Sequence, residues 1–192
     1  MDREQALTIV KQYVKAPGLI NHMLSVEAVL SFYAAKLNED ADLWGITGLL
    51  HDFDWEIHPT PELHPAAGAD ILRSLGVDET IVHAILTHGS NLDLPKVTNL
   101  EKYLSACDEI TGLVTAVALV RPSRSLYDLT ASSVKKKWKD KAFAAGTNRE
   151  EMEVGAREIG LDLWQHVDNV ILGMRTIAPE LGLEGNLKPD VS

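Results

Sequence analysis

The chain has a single cysteine, Cys107, so no internal disulfide can staple it. A lone thiol agrees with a reducing compartment, and Cys107 is expected to serve as a small buried apolar side chain. Long apolar runs are lacking too. Stretches such as Leu43 to Leu50 are too short to span a bilayer and are broken by polar residues, so no membrane partner is expected. The opening Met1-Asp2-Arg3-Glu4-Gln5 does not show a basic region followed by an apolar one, which argues against a secretory signal and for a cytoplasmic location. Positive charge is scarce: 18 Lys/Arg stand against 28 Asp/Glu, a formal net charge of -10. Nucleic-acid binders carry a basic footprint that releases counterions, so long DNA or RNA is not an expected partner. Strand alternation, low-complexity tracts and internal repeats are also missing. The remaining 45% hydrophobic and 24% charged residues, over 192 positions, fit one globular domain.

What is present is helical periodicity. Leu7, Val10 and Val14 share a face of a first helix, stopped by Pro17-Gly18. From Leu19 to about Leu37, His22, Val26, Val29, Leu30 and Tyr33 line one face, which turns His22 inward. Asp42 to His51 reads as a short, strongly apolar helix ending on His51-Asp52-Phe53-Asp54-Trp55, before a loop with Pro59 and Pro61. His64-Pro65 opens a helix that ends at Gly76. Asp78 caps a helix running through His88 and closed by Gly89. Thr98-Asn99-Leu100-Glu101 matches a capping box for a helix through Asp108 toward Val120. Residues 123–148 are less regular. One long helix is predicted from Arg149 to about Ile177, with Pro179 and Gly182 ending it. The fold class is all-α.

Seven histidines establish little by number; spacing and company matter more. His22 sits on an inward face, His51-Asp52 ends a buried helix, and Asp108 lies mid-helix among Leu104, Ala106, Cys107 and Gly112. A carboxylate in such surroundings needs a partner. Imidazole nitrogen and carboxylate oxygen together suit a borderline or hard divalent cation, which would satisfy all four groups at once. Adjacent residues on a helix diverge by about 100°, so a doublet reaches one ion most easily at a helix end, where His51-Asp52 sits.

The order His22, His51-Asp52, Asp108, with the doublet after Gly48-Leu49-Leu50, resembles the H…HD…D signature of the HD superfamily of metal-dependent phosphohydrolases over residues 19 to about 120. The resemblance implies a single-domain helical bundle in which these four residues ligate one metal. His64-Pro65-Ala66-Ala67-Gly68 resembles the H-x-x-x-G segment of the HDIG-like subgroup, and Ala84-Ile85-Leu86-Thr87-His88 its later helix ending in His. That extends the implied set to His22, His51, Asp52, His64, His88 and Asp108 on two ions, with Asp52 bridging. The other arrangement has one ion, with His64 and His88 hydrogen-bonding substrate phosphate. Asp52, His64 and His88 are thus the implied catalytic residues. The cofactor is one or two divalent ions, with Fe, Mn, Zn, Ni and Mg not resolved by sequence. The resemblance makes residues 19–120 the metal-binding core, and the periodicity before it makes residues 1–18 an N-terminal helix packing on the domain. Residues 121–180 hold a basic segment and long helix completing it, and 181–192 form a tail.

The chain departs from the family in one place: Asp54-Trp55 stands where many members have a lysine. A phosphate-binding cation would have to come from elsewhere. Residues 121–141 carry seven Lys/Arg against Asp128 and Asp140, giving +5 in a chain otherwise -15. Arg121, Arg124 and Lys135 are the candidate substrate-binding residues, with a solvated helix face as the plain alternative. His58 lies in the loop beyond the doublet. His83 is about 140° around its helix from His88 and should face elsewhere; His166 is assigned to surface or core. The expected activity is hydrolysis of a small phosphoester or nucleotide by metal-activated water. Its rivals are a non-catalytic metal- or nucleotide-binding sensor and a di-iron oxygenase on the same fold.

Overall fold

The computed structural model describes residues 1–89 and 91–187, and among them it has nine α-helices and no strand. The chain divides into two compact units, Met1–Ser105 and Ala106–Ser192.

The first unit is built around α3 (Ala41–Leu50), in which every residue from Trp44 to Leu50 is buried. Asp40 starts this helix, its carboxylate accepting from the backbone N–H of Asp42 at 3.0 Å and Leu43 at 2.9 Å. On α3 pack α1 (Arg3–Tyr13), α2 (Pro17–Leu37) and α5 (Glu79–His88), and α4 (Ala66–Ser74) packs on α5. Their shared core runs from Val10 and Met23 through Leu49, Leu50 and Phe53 to Leu72, Val82 and Ile85. The approach of α2 and α3 is unusually close at one point. A Cβ on Gly48 would lie 2.8 Å from the backbone nitrogen of Glu27 and 2.9 Å from the carbonyl carbon of Val26. Only glycine allows the two backbones to touch there, one turn before the doublet. Arg3 on α1 pairs with the buried Glu27, Nη2 donating to Oε2 at 2.9 Å.

The expected capping box is in place before α6 (Asn99–Val120): the Glu101 carboxylate accepts from the N–H of Val97 and Thr98, and Thr98 Oγ1 accepts from Glu101 N–H. This helix is long and apolar enough, by length and composition, to cross a membrane, which the short apolar runs had not suggested. More than half of its apolar stretch, 56%, is buried within the protein, as in a core helix.

In the second unit, α7 (Ala131–Trp138) and α8 (Arg149–Glu158) both pack on α9 (Leu163–Arg175). The single long helix predicted over 149–177 is two helices. Gly160, at φ 72°, leaves the helical path while its N–H and that of Leu161 close back on Arg157 and Ala156 carbonyls, and the Asp162 side chain caps a new helix. The region expected to be less regular holds α7, and Arg175 ties down the segment just before it by donating to the Leu126 and Leu129 carbonyls at 2.8 and 2.7 Å. Leu181 and Leu183 of the expected tail are buried, and Leu183 accepts from Leu126 N–H; residues 188–192 of that tail lie outside the described residues.

Candidate metal centre

His51 is the C-cap of α3, and its Nδ1 lies 2.8 Å from the carbonyl oxygen of Gly48. A carbonyl oxygen only accepts, so Nδ1 carries the proton and Nε2 is turned outward. The same logic holds at the end of α5, where Nδ1 of His88 donates to the carbonyl of Ile85. His64, just before α4, instead donates from Nδ1 to Asp54 Oδ1 at 2.8 Å. Three imidazoles thereby present Nε2 to one place, and that place is the carboxylate of Asp52.

The distances divide them into two pairs. Nε2 of His22 and of His51 lie 3.6 and 3.5 Å from Asp52 Oδ2 and 3.2 Å from each other. Nε2 of His64 and of His88 lie 3.2 and 3.5 Å from Asp52 Oδ1 and 3.1 Å from each other. Two donors on one ion at about 2.1 Å sit roughly 3.0–3.4 Å apart, so each pair already has the spacing of cis ligands. Two neutral Nε2 lone pairs facing each other at that distance repel, so a proton or a cation belongs between them. The donor chemistry, imidazole and carboxylate with no thiolate, fits a divalent ion of the zinc, iron or manganese type.

The charges agree. Burial works against ionisation of Asp52, but His51 beside it, hydrogen bonds from His64 and His88, and His22 together hold its carboxyl well below 3.8. Burial likewise disfavours a charged His64, yet hydrogen bonds to Asp52 and Asp54 overcome it and push the imidazole up to about 9. Without an ion, a proton on His64 offsets part of the negative charge of the carboxylates beside it; an ion bound at Nε2 displaces it. The loop after the doublet is pinned to the approach of α2, since Glu56 Oε2 accepts from the N–H of Lys15 and Ala16 at 2.7 and 3.1 Å.

Asp108 is half-buried on α6 and belongs to the second unit. So do Arg121, Arg124 and Lys135. Arg121 is engaged in its own loop, donating to Asp128 Oδ2 at 2.6 Å and Ser133 Oγ at 2.9 Å. Arg124 is exposed, in left-handed backbone at φ 48°. Lys135 is exposed and lies over the Trp164 ring, 5.1 Å from its centroid. His83 points away as the helix geometry required, its Nδ1 2.9 Å from Glu101 Oε1. His166 is a core residue: it is wholly buried, donates from Nε2 to the Ala106 carbonyl at 2.8 Å, and burial lowers its pKa to about 4, keeping it neutral. Cys107 is buried, as expected, and burial raises its thiol well above 9.0.

The sequence reading missed Asp54, which it took only as the loss of a lysine. An acid two residues past the doublet, on a turn leading to His64, was the available signal.

Ribonuclease Y of Nitratidesulfovibrio vulgaris is 35% identical over 96 residues, covering 50% of this chain and 18% of that protein. A tRNA (cytidine(56)-2'-O)-methyltransferase of Thermoplasma volcanium is 33% identical over 87 residues, 45% of this chain and 25% of the relative. Ribonuclease Y of Enterococcus faecalis is 25% identical over 137 residues, 69% and 26% of the two chains. The chain thus spans roughly a fifth to a quarter of the length of these relatives. No solved structure gives a significant match. The HD domain pattern matches residues 19–113, the stretch that contains His22, His51-Asp52, His64, His88 and Asp108, and that stretch is an HD domain: the chain belongs to the HD family.

Proposed function

We propose that the protein is a metal-dependent phosphohydrolase that cleaves a small phosphoester or nucleotide. The observation that carries this reading is the convergence of four imidazole Nε2 atoms, in two pairs, on the two oxygens of Asp52. His22, His51 and Asp52 would hold one ion and Asp52, His64 and His88 a second, with Asp108 completing the first set by the HD pattern. A divalent ion held there supplies Lewis acidity and a water of pKa near 7. Asp52, held as a carboxylate, would offer one oxygen to each subsite. His64 holds its Nδ1 proton on Asp54, leaving Nε2 to face the site. His88 Nε2 completes that side. Arg121, Arg124 and Lys135 are the proposed contacts for substrate phosphate, and guanidinium can hold a phosphoryl group with two parallel hydrogen bonds. That ribonuclease Y shares this stretch supports phosphoester chemistry. The net charge of -10 favours a small substrate over a long polyanion.

The test is elemental analysis of protein purified without added ions, then a phosphoester and nucleotide panel with Mn, Fe, Zn, Ni or Mg. Between one and two equivalents of metal and metal-dependent phosphate release are expected. Bound metal with no turnover would select the sensor; oxygen uptake by an iron-loaded form would select the oxygenase.

A further inference from the structure

Asp54 is wholly buried, and the metal set does not use it. Its Oδ1 accepts from Nδ1 of His64 at 2.8 Å, while Oδ2, equally buried, has no hydrogen-bond partner among the described residues. A carboxylate left half-satisfied in the interior is costly, so folding stability alone does not account for an acid here. The protein also makes room for it. A Cβ on Gly68 would lie 2.4 Å from the Asp54 carboxyl carbon and 2.6 and 2.8 Å from its oxygens, so only glycine fits beneath.

The reason for a side-chain acceptor lies in where His64 stands. His51 and His88 are each at the end of a helix, where the carbonyl three residues back, of Gly48 or Ile85, takes the Nδ1 proton. His64 precedes its helix and sits on a turn; the carbonyl three residues back is that of Pro61, which accepts from the Asn91 side chain instead. With no local carbonyl to fix its tautomer and ring angle, His64 relies on Asp54, ten residues away in sequence. Trp55 holds the imidazole from another side, ring edge to face with centroids 5.0 Å apart at 89°.

We propose that Asp54 is the positioning residue of the second metal subsite: a buried carboxylate that locks Nδ1–H of His64 and so aims Nε2 between Asp52 and His88. The inference rests on the metal reading above and goes beyond it, because it makes the two subsites unequal in what they need. Binding at Asp52, His64 and His88 depends on Asp54; binding at His22 and His51 does not.

The experiment is titration of metal-free full-length protein with Co(II), following visible absorption and equilibrium dialysis, for wild type, Asp54→Ala and Asp54→Asn. Circular dichroism reports folding. Wild type should bind two ions. Asp54→Ala should keep the first at unchanged affinity and bind the second about ten- to hundredfold more weakly, the usual effect of removing such an outer partner. Asp54→Asn keeps the shape and an oxygen that accepts from Nδ1, so its loss should be smaller; it also decides the matter if Asp54→Ala does not fold. Second-site affinity within twofold of wild type in the folded variants, or equal loss at both sites, overturns the inference while leaving the metal reading intact. A wild-type chain that binds one ion overturns the inference, and one that binds none overturns the metal reading with it.

Discussion

Substitution of Gly48 by alanine tests the contact that brings α2 and α3 together. The added methyl group would sit 2.8–3.0 Å from three backbone atoms of Val26 and Glu27, against about 3.5–4.0 Å for a comfortable carbon contact. No side chain can rotate out of the way, so the helices must part by about 1 Å. Overpacking of this kind costs about 1–3 kcal/mol. Alanine also gains about 1 kcal/mol over glycine in a helix. Gly112→Ala on α6 separates the two effects, because its Cβ would meet only Thr147 Cγ2 at 3.7 Å, an ordinary contact. Thermal unfolding in chelator should therefore move in opposite directions, up for Gly112→Ala and down for Gly48→Ala, at about 2–4 °C per kcal/mol for a chain of this size. The separation also carries His51 away from His22, whose Nε2 atoms are 3.2 Å apart. Metal sites hold their distances to within about 0.2 Å, so the first ion should bind far more weakly in Gly48→Ala and normally in Gly112→Ala. Equal melting temperatures and equal metal affinity in the two glycine variants would refute the close-contact reasoning.

His64 has a folded-state pKa of about 9, raised above 6.5, so its contribution to stability is complete below pH 6.5 and is lost as pH rises through 9. Melting temperature against pH should fall across that window in chelator and flatten when the protein is loaded with metal. Asp52→Ala should remove metal and phosphatase activity while the helical signal in circular dichroism persists; full turnover would exclude Asp52 from the site. His83→Ala should leave activity nearly intact, since Glu101 still caps α6 through the N–H of Val97 and Thr98, and a folded but inactive variant would place His83 in the chemistry after all.

Local signals in the chain settle much of this protein. Helical periodicity and caps such as Asp78 and Thr98 with Glu101 locate most helices, because those contacts span four residues or fewer. The His22, His51-Asp52 and Asp108 order identifies the family, and the angle between His83 and His88 separates a surface imidazole from one in the cluster. Other features were not legible because they depend on residues distant in sequence. That His22 and His51 face Asp52 Oδ2 while His64 and His88 face Oδ1 follows from the packing of α2, α3 and α5, and no spacing encodes it. The partners of Arg121 were not legible either: its guanidinium donates to Asp128 and Ser133, 7 and 12 residues further along the chain. Asp54 reads in sequence as a missing lysine; only folding sets it against His64 and above Gly68, where the absence of one side chain leaves room for a buried carboxylate.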